Sequence, residues 1–569
     1  MQDINIVIAG AAGQGVQGAA TILGKVLLRS GFHLFANHDA QSRIRGGHNF
    51  SSLRFADQPL AAGVKRIDYL LALNQESLSR HLNDLTPAGL AFCVDGLGGD
   101  ITDGRLRVLP AEVGPEGARR PQYQGVKLLA RLAGRLGLAP AILAQVVSER
   151  FAEKGEAIVA MNLQAIEAVL AHSRQEESAP LAPPAQPLGP RLLVSGHEAV
   201  ALGMIAAGIG VYAAYPIGPA TEIMNLLAEH GPDLGIGVEM VEDEIAAANL
   251  AIGASYAGVR AAVGTSGAGI SLMCEAIGLA GISETPLVIV DGQRSGPSTG
   301  MATRTEQSDL LFVVHASHGE FPRAVLAPTG PEDAFSLTFA AFNLAERWQL
   351  PVFILTDHSL ADAQASVAEY DLGRLTIDRG VMAPEPGETT ELPRYQLTEN
   401  GVSPRAYPVV SNWLVAQDSH EHNEYGLVTD NPENREAQMA KRMRKLAGLA
   451  ATMPAPEVQH PEAATLLLCW GSTVGPVVEA VENLREQGQN LGVAIFRQLF
   501  PMNKEAVRAA LAGAKRLVSV EANSTGQLGK LLLLETGLAS GGHIGKTDGR
   551  SFTVEELVVR IGKYLEEPA

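Results

Sequence analysis

Apolar and polar positions along the chain follow two periods that predict alternating strands and helices. INIVIAG is a short continuous apolar run, and GAATILGKVLLRSG follows it with apolar positions at helical spacing. Similar apolar runs are TPLVIVDGQ, LPVFILTDH, ATLLLCWG, LGVAIFRQ and RLVSVEA. Continuous apolar strands between helices are typical of parallel sheets covered on both faces. The sequence therefore predicts an α/β fold with several parallel-sheet domains.

The chain of 569 residues is too long for one hydrophobic core, and composition marks its boundaries. Residues 174–191 are rich in proline and alanine, which favours an extended linker. We predict one domain before it, over residues 1–173, and a second α/β domain over 192–371. An irregular connection over 372–456 ends in a basic helix, and a last α/β unit covers 457–569.

The net charge of −18 narrows the kinds of partner. Such an acidic chain is a poor match for nucleic acid or an anionic membrane surface, so we expect proteins or small anions as partners. No apolar stretch is long enough to span a bilayer, and MQDINIVIAGAAGQG lacks the pattern of a signal peptide. We expect a cytoplasmic protein with no membrane contact.

Cysteine and histidine patterns predict no metal site on this chain. Cys93, Cys274 and Cys469 lie far apart with no CxxC pair, so they cannot supply the four thiolates of a common iron–sulfur cluster. The histidines of DSHEHNEYG lack the spacing of a catalytic zinc site. GTSGAG also differs from the Gly-x-Ser-x-Gly nucleophile elbow.

A first glycine-rich turn, around Gly13 and Gly15, stands between the first strand and the first helix. A helix N-terminus offers free N–H groups to a phosphate, so the turn predicts an anion site, although glycines for close packing alone are an alternative. A nicotinamide site needs an acidic residue after the second strand, and we expect Asp39 to lie beyond that strand in a loop. A phosphate of coenzyme A is therefore preferred.

The basic loop that follows could hold an anion, dock against another domain, or be merely solvated. Arg43, Arg45 and His48 flank two glycines there. Arg45 is our candidate for a cofactor contact.

A second candidate site lies in GVEMVEDEIAAANLAIGASYAGVRAAVGTSGAGISLM. Glu242, Asp243 and Glu244 precede a helix, where acidic residues ordinarily serve as caps. Three acids exceed what capping requires, so one of them could turn into a dry pocket and hydrogen-bond a ring nitrogen. The GTSGAGIS segment brings Gly267 to a further turn, where backbone can approach a ligand.

Two arginines follow the strand TPLVIV, at the carboxyl edge where open α/β sheets bind ligands. Arg294 and Arg304 stand among small residues, and arginine binds a carboxylate through two parallel hydrogen bonds. Surface ion pairing is the alternative. Together they suggest a dicarboxylate, or a carboxylate plus another anion.

Several long segments, in order along nearly the whole chain, resemble one family. GAAGQGVQGAATILG and RIRGGHNFSSLR are similar to its γ domain, and YAAYPIGPATEIMN, VEDEIAAANLAIGAS and DGQRSGPSTGMATRTEQSDL to its pyrimidine-binding domain. GVSPRAYP, EHNEYG and VSVEANSTGQLGKLL resemble later segments, the last in a transketolase C-terminal-like domain. The family is the 2-oxoacid:ferredoxin oxidoreductases, specifically the α subunit of the 2-oxoglutarate enzymes with the γ domain fused at its N-terminus.

The resemblance implies thiamine diphosphate with Mg²⁺ as a cofactor. Glu244 matches the family's glutamate, which hydrogen-bonds the aminopyrimidine N1′ and favours the tautomer that deprotonates thiazolium C2. It further implies oxidative decarboxylation of 2-oxoglutarate to succinyl-CoA and CO₂, with coenzyme A as acyl acceptor and ferredoxin as electron acceptor. The reaction could also run in reverse.

The segment YPIGP, from Tyr215 to Pro219, is expected beside the reacting carbon, so Tyr215, Pro216, Ile217 and Gly218 are substrate-site candidates. A rigid turn there favours preorganisation. The family commonly has a substrate-contacting threonine where this chain has Gly218. The glycine removes a hydroxyl and adds room for a longer side chain. Arg294 aligns with the family's substrate-carboxylate arginine.

The chain lacks the Gly-Asp-Gly…Asn signature that holds Mg²⁺ and the diphosphate. The resemblance therefore implies a separate β subunit with that site and a [4Fe-4S] cluster, ferredoxin as electron partner, and a dimer of αβ pairs. Alternatives are a pyruvate or branched-chain specificity, a nicotinamide dehydrogenase, or a non-catalytic scaffold subunit.

Overall fold

A computed structural model describes the chain except residues 1, 41–45, 99–100, 175–178, 183, 185–187, 388–389, 409 and 567–569. The chain forms two compact units. The first comprises Met1–Val194, Asp362–Glu369 and Thr553–Glu555. The second comprises Ser195–Ala361, Tyr370–Phe552 and Glu556–Ala569.

The first part of the chain begins with the predicted strand–helix alternation, but it also contains three successive strands over 33–72 and three successive helices over 124–173. Up to residue 195 the strands and helices are β1 (Asp3–Ala12), α1 (Val16–Arg29), β2 (His33–Ala40), β3 (Gly46–Ala56), β4 (Ile67–Ala72), α2 (Gln75–His81), β5 (Leu85–Val94), β6 (Leu106–Leu109), α3 (Gln124–Leu136), α4 (Pro140–Phe151), α5 (Glu156–Ser173) and β7 (Arg191–Ser195).

The middle of the chain, up to residue 368, has the same alternation. Its elements are α6 (Gly196–Ala206), β8 (Val211–Ala214), α7 (Thr221–Leu234), β9 (Gly237–Met240), α8 (Glu244–Tyr256), β10 (Ala261–Thr265), α9 (Gly267–Ile282), β11 (Leu287–Gln293), α10 (Leu310–His315), β12 (Ala324–Leu326), α11 (Pro331–Trp348), β13 (Pro351–Asp357), α12 (His358–Asp362) and β14 (Gln364–Ala368).

A long irregular stretch precedes the last elements. These are α13 (Pro432–Thr452), β15 (Glu457–Gln459), β16 (Thr465–Trp470), α14 (Val474–Glu486), β17 (Leu491–Phe496), β18 (Gln498–Phe500), α15 (Lys504–Leu511), β19 (Arg516–Glu521), α16 (Gln527–Thr536), β20 (Gly542–Gly545) and α17 (Val554–Glu566). No helix in the described part of the chain has the length and apolarity needed to cross a membrane.

The first unit is built on a mixed sheet with the order β6-β5-β4-β1-β3-β2-β14-β7. Strands β6, β5, β4 and β1 run parallel, whereas β3 is antiparallel to both β1 and β2. The neighbours of β1 are therefore β3 and β4. Strand β2, which follows the glycine turn and α1, is separated from β1 by β3, so the described residues there do not form the adjacent β1–β2 parallel pair of a dinucleotide-binding βαβ unit.

The second unit contains two sheets. The central one has the order β18-β12-β13-β11-β10-β8-β9 and is parallel except for its edge strand β18. The other has the order β15-β17-β16-β19-β20 and is parallel except for β15. Strand β18 comes from the C-terminal part of the chain, and a shared apolar cluster joins the two sheets. The predicted α/β class with parallel sheets is confirmed.

Helix α13 is the basic helix that the sequence predicts, and it buries several of its basic side chains instead of exposing them. Lys441 Nζ donates to Glu284 Oε1 at 2.6 Å, and Lys445 Nζ donates to Glu284 Oε2 at 2.7 Å. All three side chains are fully buried, and Arg394 donates to the Glu284 carbonyl oxygen at 2.8 Å. Buried charges are tolerated only when they are paired in this way. The cluster fixes the end of the irregular stretch to the central sheet.

Candidate functional site

The turn after β8 is fixed from both ends. The Thr221 N–H donates to the Ile217 carbonyl oxygen at 3.1 Å, and Pro219 packs so closely on β11 that a Cβ atom at Gly292 would lie 2.6 Å from its Cγ. Tyr215 is 41% exposed, and Pro216 is also exposed. Ile217 and Gly218 are half-buried. The turn therefore presents its first residues to solvent from a rigid base.

Arg294 lies directly against this turn. It follows the last residue of β11, and its Nη1 donates to the Gly218 carbonyl oxygen at 3.1 Å. Its Nε is buried and has no hydrogen-bond partner among the described residues. The structure thus brings together two residues that the sequence predicted separately, 76 positions apart.

Arg304 belongs to a loop that closes back on the end of β11. Its carbonyl oxygen accepts from the Ser295 N–H at 3.2 Å, and its N–H donates to the Met301 carbonyl oxygen at 3.0 Å. Its side chain is half-buried and packs beside Gly549. The backbone bonds fix the position of this loop at the sheet edge.

The three acids before α8 have different environments. Asp243 caps the helix, because its Oδ1 accepts from the Ala246 N–H at 2.8 Å, and Glu242 is exposed. Glu244, the first helical residue, is only 5% exposed. The cap is already satisfied, so the burial of Glu244 serves another purpose.

The Glu244 carboxylate lies against two small residues, Thr265 and Gly269. The Thr265 hydroxyl at the end of β10 donates to Glu244 Oε1 at 3.4 Å, a long bond. A Cβ atom at Gly269 would lie 2.7 Å from the same oxygen and would also collide with the Thr265 hydroxyl. Glycine is therefore required at position 269 because a side chain would not fit there. Backbone conformation is not the reason, since this residue is an ordinary part of helix α9.

Gly267 begins α9 and packs against an acid that the sequence analysis missed. A Cβ atom there would collide with the Asp309 carboxylate. The preceding Ser266 is fully buried, and its hydroxyl has no hydrogen-bond partner among the described residues.

Asp291 is a second missed acid. It lies within β11, which continues beyond the strand TPLVIV to Gln293 because residues 291–293 remain paired with β13. Asp291 is fully buried, and neither carboxylate oxygen has a hydrogen-bond partner among the described residues. Burial and the charge of Asp309 raise its pKa well above the usual range. The signal in the sequence was a charged residue within an apolar strand.

The segment before α10 is held by the C-terminal sheet. Gln307 is fully buried; its Nε2 donates to the Trp470 carbonyl oxygen at 2.8 Å, and its Oε1 accepts from the Ala522 N–H at 2.9 Å. Asn523 Nδ2 donates to the Gln307 carbonyl oxygen at 2.9 Å. Gln527 Nε2 donates to the Ser308 carbonyl oxygen at 2.7 Å. These bonds join residues 163 to 219 positions apart and fix the residues that precede Asp309.

The glycine turn of the first unit has a different construction. Gly13 and Gly15 are exposed with φ of 90° and 82°, values that favour glycine. The side chain of Gln14 accepts from the Ala11 N–H at 2.7 Å and from Asn74 Nδ2 at 2.8 Å. These bonds rigidify the turn and leave the N-terminus of α1 beside it.

The basic loop after this turn is described only in part. Arg43 and Arg45 lie outside the described residues, whereas His48 lies on β3 with its Nε2 2.8 Å from His81 Nε2. Asp39 lies within β2, so the expectation that it follows the strand was wrong. Antiparallel pairing with β3 extends the strand to Ala40.

The three cysteines lie in separate elements. Cys93 is buried in β5, Cys274 lies half-buried in α9, and Cys469 is buried in β16. Burial raises the pKa of Cys93 to about 11. In the described part of the chain, no three histidine, cysteine, aspartate or glutamate side chains are grouped so that they could hold a metal ion.

A buried carboxylate, a glycine-lined helix start and an arginine thus lie at one edge of a parallel sheet, the edge at which open α/β sheets bind ligands. The family described as pyruvate flavodoxin/ferredoxin oxidoreductase, thiamine diphosphate-binding, matches residues 202–441. Pyruvate ferredoxin/flavodoxin oxidoreductase matches residues 5–172, and pyruvate:ferredoxin oxidoreductase core domain II matches residues 463–557.

Individual relatives align with this chain over nearly its whole length. The alpha subunit of 2-oxoacid:ferredoxin oxidoreductase 2 from Aeropyrum pernix is 32% identical, covering 100% of this chain and 99% of its own. The 2-oxoglutarate oxidoreductase subunit KorA from Mycobacterium tuberculosis is 29% identical, covering 99% and 91%.

A solved structure, 2-oxoglutarate:ferredoxin oxidoreductase from Magnetococcus marinus with 2-oxoglutarate, coenzyme A and succinyl-CoA bound, is 31% identical with a TM-score of 0.91. It covers 100% of both chains. The chain belongs to the 2-oxoacid:ferredoxin oxidoreductase family, as an alpha subunit.

Proposed function

We propose that the chain is the γα subunit of a 2-oxoglutarate:ferredoxin oxidoreductase. With a β subunit, it would convert 2-oxoglutarate and coenzyme A to succinyl-CoA and CO₂ while reducing ferredoxin, and the reaction would be reversible. The carrying observation is the placement of buried Glu244 on the same sheet edge as Arg294, which contacts the Gly218 turn. The names of KorA relatives and of the Magnetococcus marinus structure support the substrate.

The residues fit the pyrimidine end of thiamine diphosphate. Glu244 is a buried carboxylate with one long hydrogen bond, and Gly269 leaves space beside it that a side chain would fill. Thiamine diphosphate would supply the carbon nucleophile and electron sink for decarboxylating a 2-oxoacid. Glu244 would hold the proton at pyrimidine N1′, and Gly267 would line the approach to the ring. We assign no Mg²⁺ ligand to this chain.

Arg294 would bind a carboxylate of the substrate. The bond to Gly218 occupies one N–H of its guanidinium and fixes its plane, which leaves other N–H groups for paired hydrogen bonds to a carboxylate. Arg304 is the proposed partner of the second carboxylate. Tyr215, Pro216 and Ile217 would form the wall of the pocket.

Gly218 supports a substrate longer than pyruvate. A Cβ atom at Gly218 would meet no described atom within 4 Å, so the position of the family's threonine is open space here. The side chain of 2-oxoglutarate has two methylenes and a carboxylate to place in such space. Another 2-oxoacid is the second candidate, because the Aeropyrum pernix and Saccharolobus solfataricus relatives are named for 2-oxoacids in general.

The remaining assignments follow the same proposal. Residues 1–173 would form the γ domain, with Gly13, Gly15 and Arg45 contacting coenzyme A. Residues 192–371 would form the pyrimidine-binding domain, and 457–569 the transketolase C-terminal-like domain. The β subunit would carry the [4Fe-4S] cluster and the Mg²⁺–diphosphate site, in a dimer of αβ pairs in the cytoplasm.

The test is a substrate panel on the complex co-purified with its native partners. Viologen reduction is measured with coenzyme A, thiamine diphosphate and each of 2-oxoglutarate, pyruvate and branched-chain 2-oxoacids. We expect kcat/KM to be highest for 2-oxoglutarate. Preference for pyruvate would reject the substrate but not the reaction class, and no turnover with any 2-oxoacid would reject both.

A further inference from the structure

Two aspartates near Arg294, the fully buried Asp291 and the half-buried Asp309, have no role in the function proposed above. Asp291 is fully buried on β11, with neither oxygen hydrogen-bonded to a described residue. Buried polar atoms are bonded in the large majority of cases, so an exception of this kind needs an explanation. Thr265, the register partner of Asp291 on β10, is the residue that contacts Glu244.

Asp309 is held in a fixed position beside it. Its carboxylate lies against Gly267 at the start of α9, and its N–H donates to Gln293 Oε1 at 3.0 Å. The preceding residues are bound to the C-terminal sheet through Gln307. Asp309 is close enough for its charge to interact with both Asp291 and Arg294.

A proton is the counter-charge that this pair requires. An ionised carboxylate buried without a partner is very costly, and neighbouring like charges disfavour double ionisation. The described part of the chain offers no three ligating side chains that could hold a cation. Burial and the charge of Glu306 raise the pKa of Asp309 to about 6, while Arg294 acts in the opposite direction.

We propose that Asp291 and Asp309 are positioning residues, an acid pair that retains at least one proton in the working enzyme and so keeps Arg294 available to a substrate carboxylate. If both acids were ionised, their two negative charges would offset the single positive charge of the guanidinium. The role assigned to Arg294 rests on the proposed function. The protonation of Asp291 follows from its own surroundings and does not rest on that function.

Substrate binding by Arg294 should depend on pH through the ionisation of Asp309. The charged groups that interact with Asp309 are Asp291 on β11, Arg294 just after β11, and Glu306 in its own segment. Helix α9 contributes only the uncharged Gly267. Below its pKa of about 6 Asp309 is neutral, and above that pH it becomes negative and competes with the substrate carboxylate for Arg294. The KM for the 2-oxoacid should therefore rise as pH increases through this value.

The first experiment tests the proton directly. Infrared difference spectra of the full chain in its complex compare wild type with Asp291→Asn near pH 7, and the C=O stretch of a protonated carboxylic acid is the readout. We expect the band in wild type and its loss in Asp291→Asn. The control Glu242→Gln, at an exposed acid, should keep it. Identical spectra for wild type and Asp291→Asn would overturn the proposal whether or not the complex turns over a 2-oxoacid.

The second experiment measures KM and kcat against pH for the best 2-oxoacid. We expect the wild-type KM to rise about tenfold from pH 5.5 to 8, a change worth about 1.4 kcal/mol, with a smaller change in kcat. Asp309→Asn should flatten the KM profile, and Glu306→Gln should move the rise to lower pH. A purely structural role would predict lower kcat and stability with an unchanged profile, and that result would overturn the proposal.

Discussion

Asp291 and Glu284 are both fully buried acids of the second unit, yet their surroundings have opposite effects. At the sheet edge Asp291 has no hydrogen-bond partner among the described residues, and burial raises its pKa. Burial alone would also raise the pKa of Glu284, but the charges of Lys445 and Lys441 lower it below its ordinary value.

The opposite pKa shifts of Asp291 and Glu284 distinguish a buried acid at the candidate site from a buried acid that stabilises the fold. Glu284 satisfies two lysines and fixes α13, which is a structural role. Asp291 at the sheet edge has no hydrogen-bond partner among the described residues and a raised pKa, and groups with strongly perturbed pKa values concentrate at functional sites. Substitutions in the first region should therefore affect stability, and those in the second should affect turnover.

Glu244→Gln should reduce turnover more than any other substitution considered. Glutamine retains the shape but cannot exchange a proton at the cofactor, so kcat with 2-oxoglutarate should fall by about 10²–10⁴-fold with little change in melting temperature. Viologen reduction by the complex is the measurement. Glu242→Gln, two residues earlier and exposed, is the matched control and should keep wild-type turnover.

Glu284→Gln should lower the stability of the chain, in contrast to Glu244→Gln, which should lower turnover. It leaves Lys441 and Lys445 buried without their carboxylate, and breaking such a buried pair costs about 3–5 kcal/mol of unfolding free energy. Denaturant unfolding measures the loss. The native pKa of Glu284 is lowered, so its stabilising contribution is present above pH 4.5 and is lost as pH falls. The variant should therefore show a weaker acid dependence, and unchanged stability would contradict a structural role.

Gly269→Ala tests the space beside Glu244. The added methyl would collide with Thr265 and Glu244, so we expect about 1–3 kcal/mol of destabilisation together with reduced turnover. Gly253→Ala on α8 is the control, because a Cβ atom there meets no described atom within 4 Å, and it should stabilise by about 0.5–1 kcal/mol. Equal behaviour of the two variants would remove the argument from close packing.

A smaller effect on turnover than that of Glu244→Gln is expected for Gly218→Thr, which places a side chain in open space beside Arg294. It should lower kcat/KM for 2-oxoglutarate relative to pyruvate by about 10–100-fold, the range that modest changes in pocket volume produce. Competition between the two substrates measures the ratio. An unchanged ratio would show that Gly218 does not set substrate length.

The parts of the candidate site that the sequence analysis singled out are those that depend on local pattern. The YPIGP turn, the acids before α8 and Arg294 each stand at a strand end or a helix start, where short-range rules apply. Asp291, Asp309 and Gln307 were missed because their environments depend on packing between distant segments. Gln307, for example, bonds to Ala522, 215 positions away.

The most direct test is an experimental structure of the complex with thiamine diphosphate and 2-oxoglutarate bound. We expect Glu244 within hydrogen-bond distance of pyrimidine N1′, about 2.5–3.2 Å, and the Arg294 guanidinium on a substrate carboxylate. A cofactor whose pyrimidine lies away from Glu244, or a substrate whose carboxylates do not contact Arg294, would be incompatible with the roles proposed for these two residues.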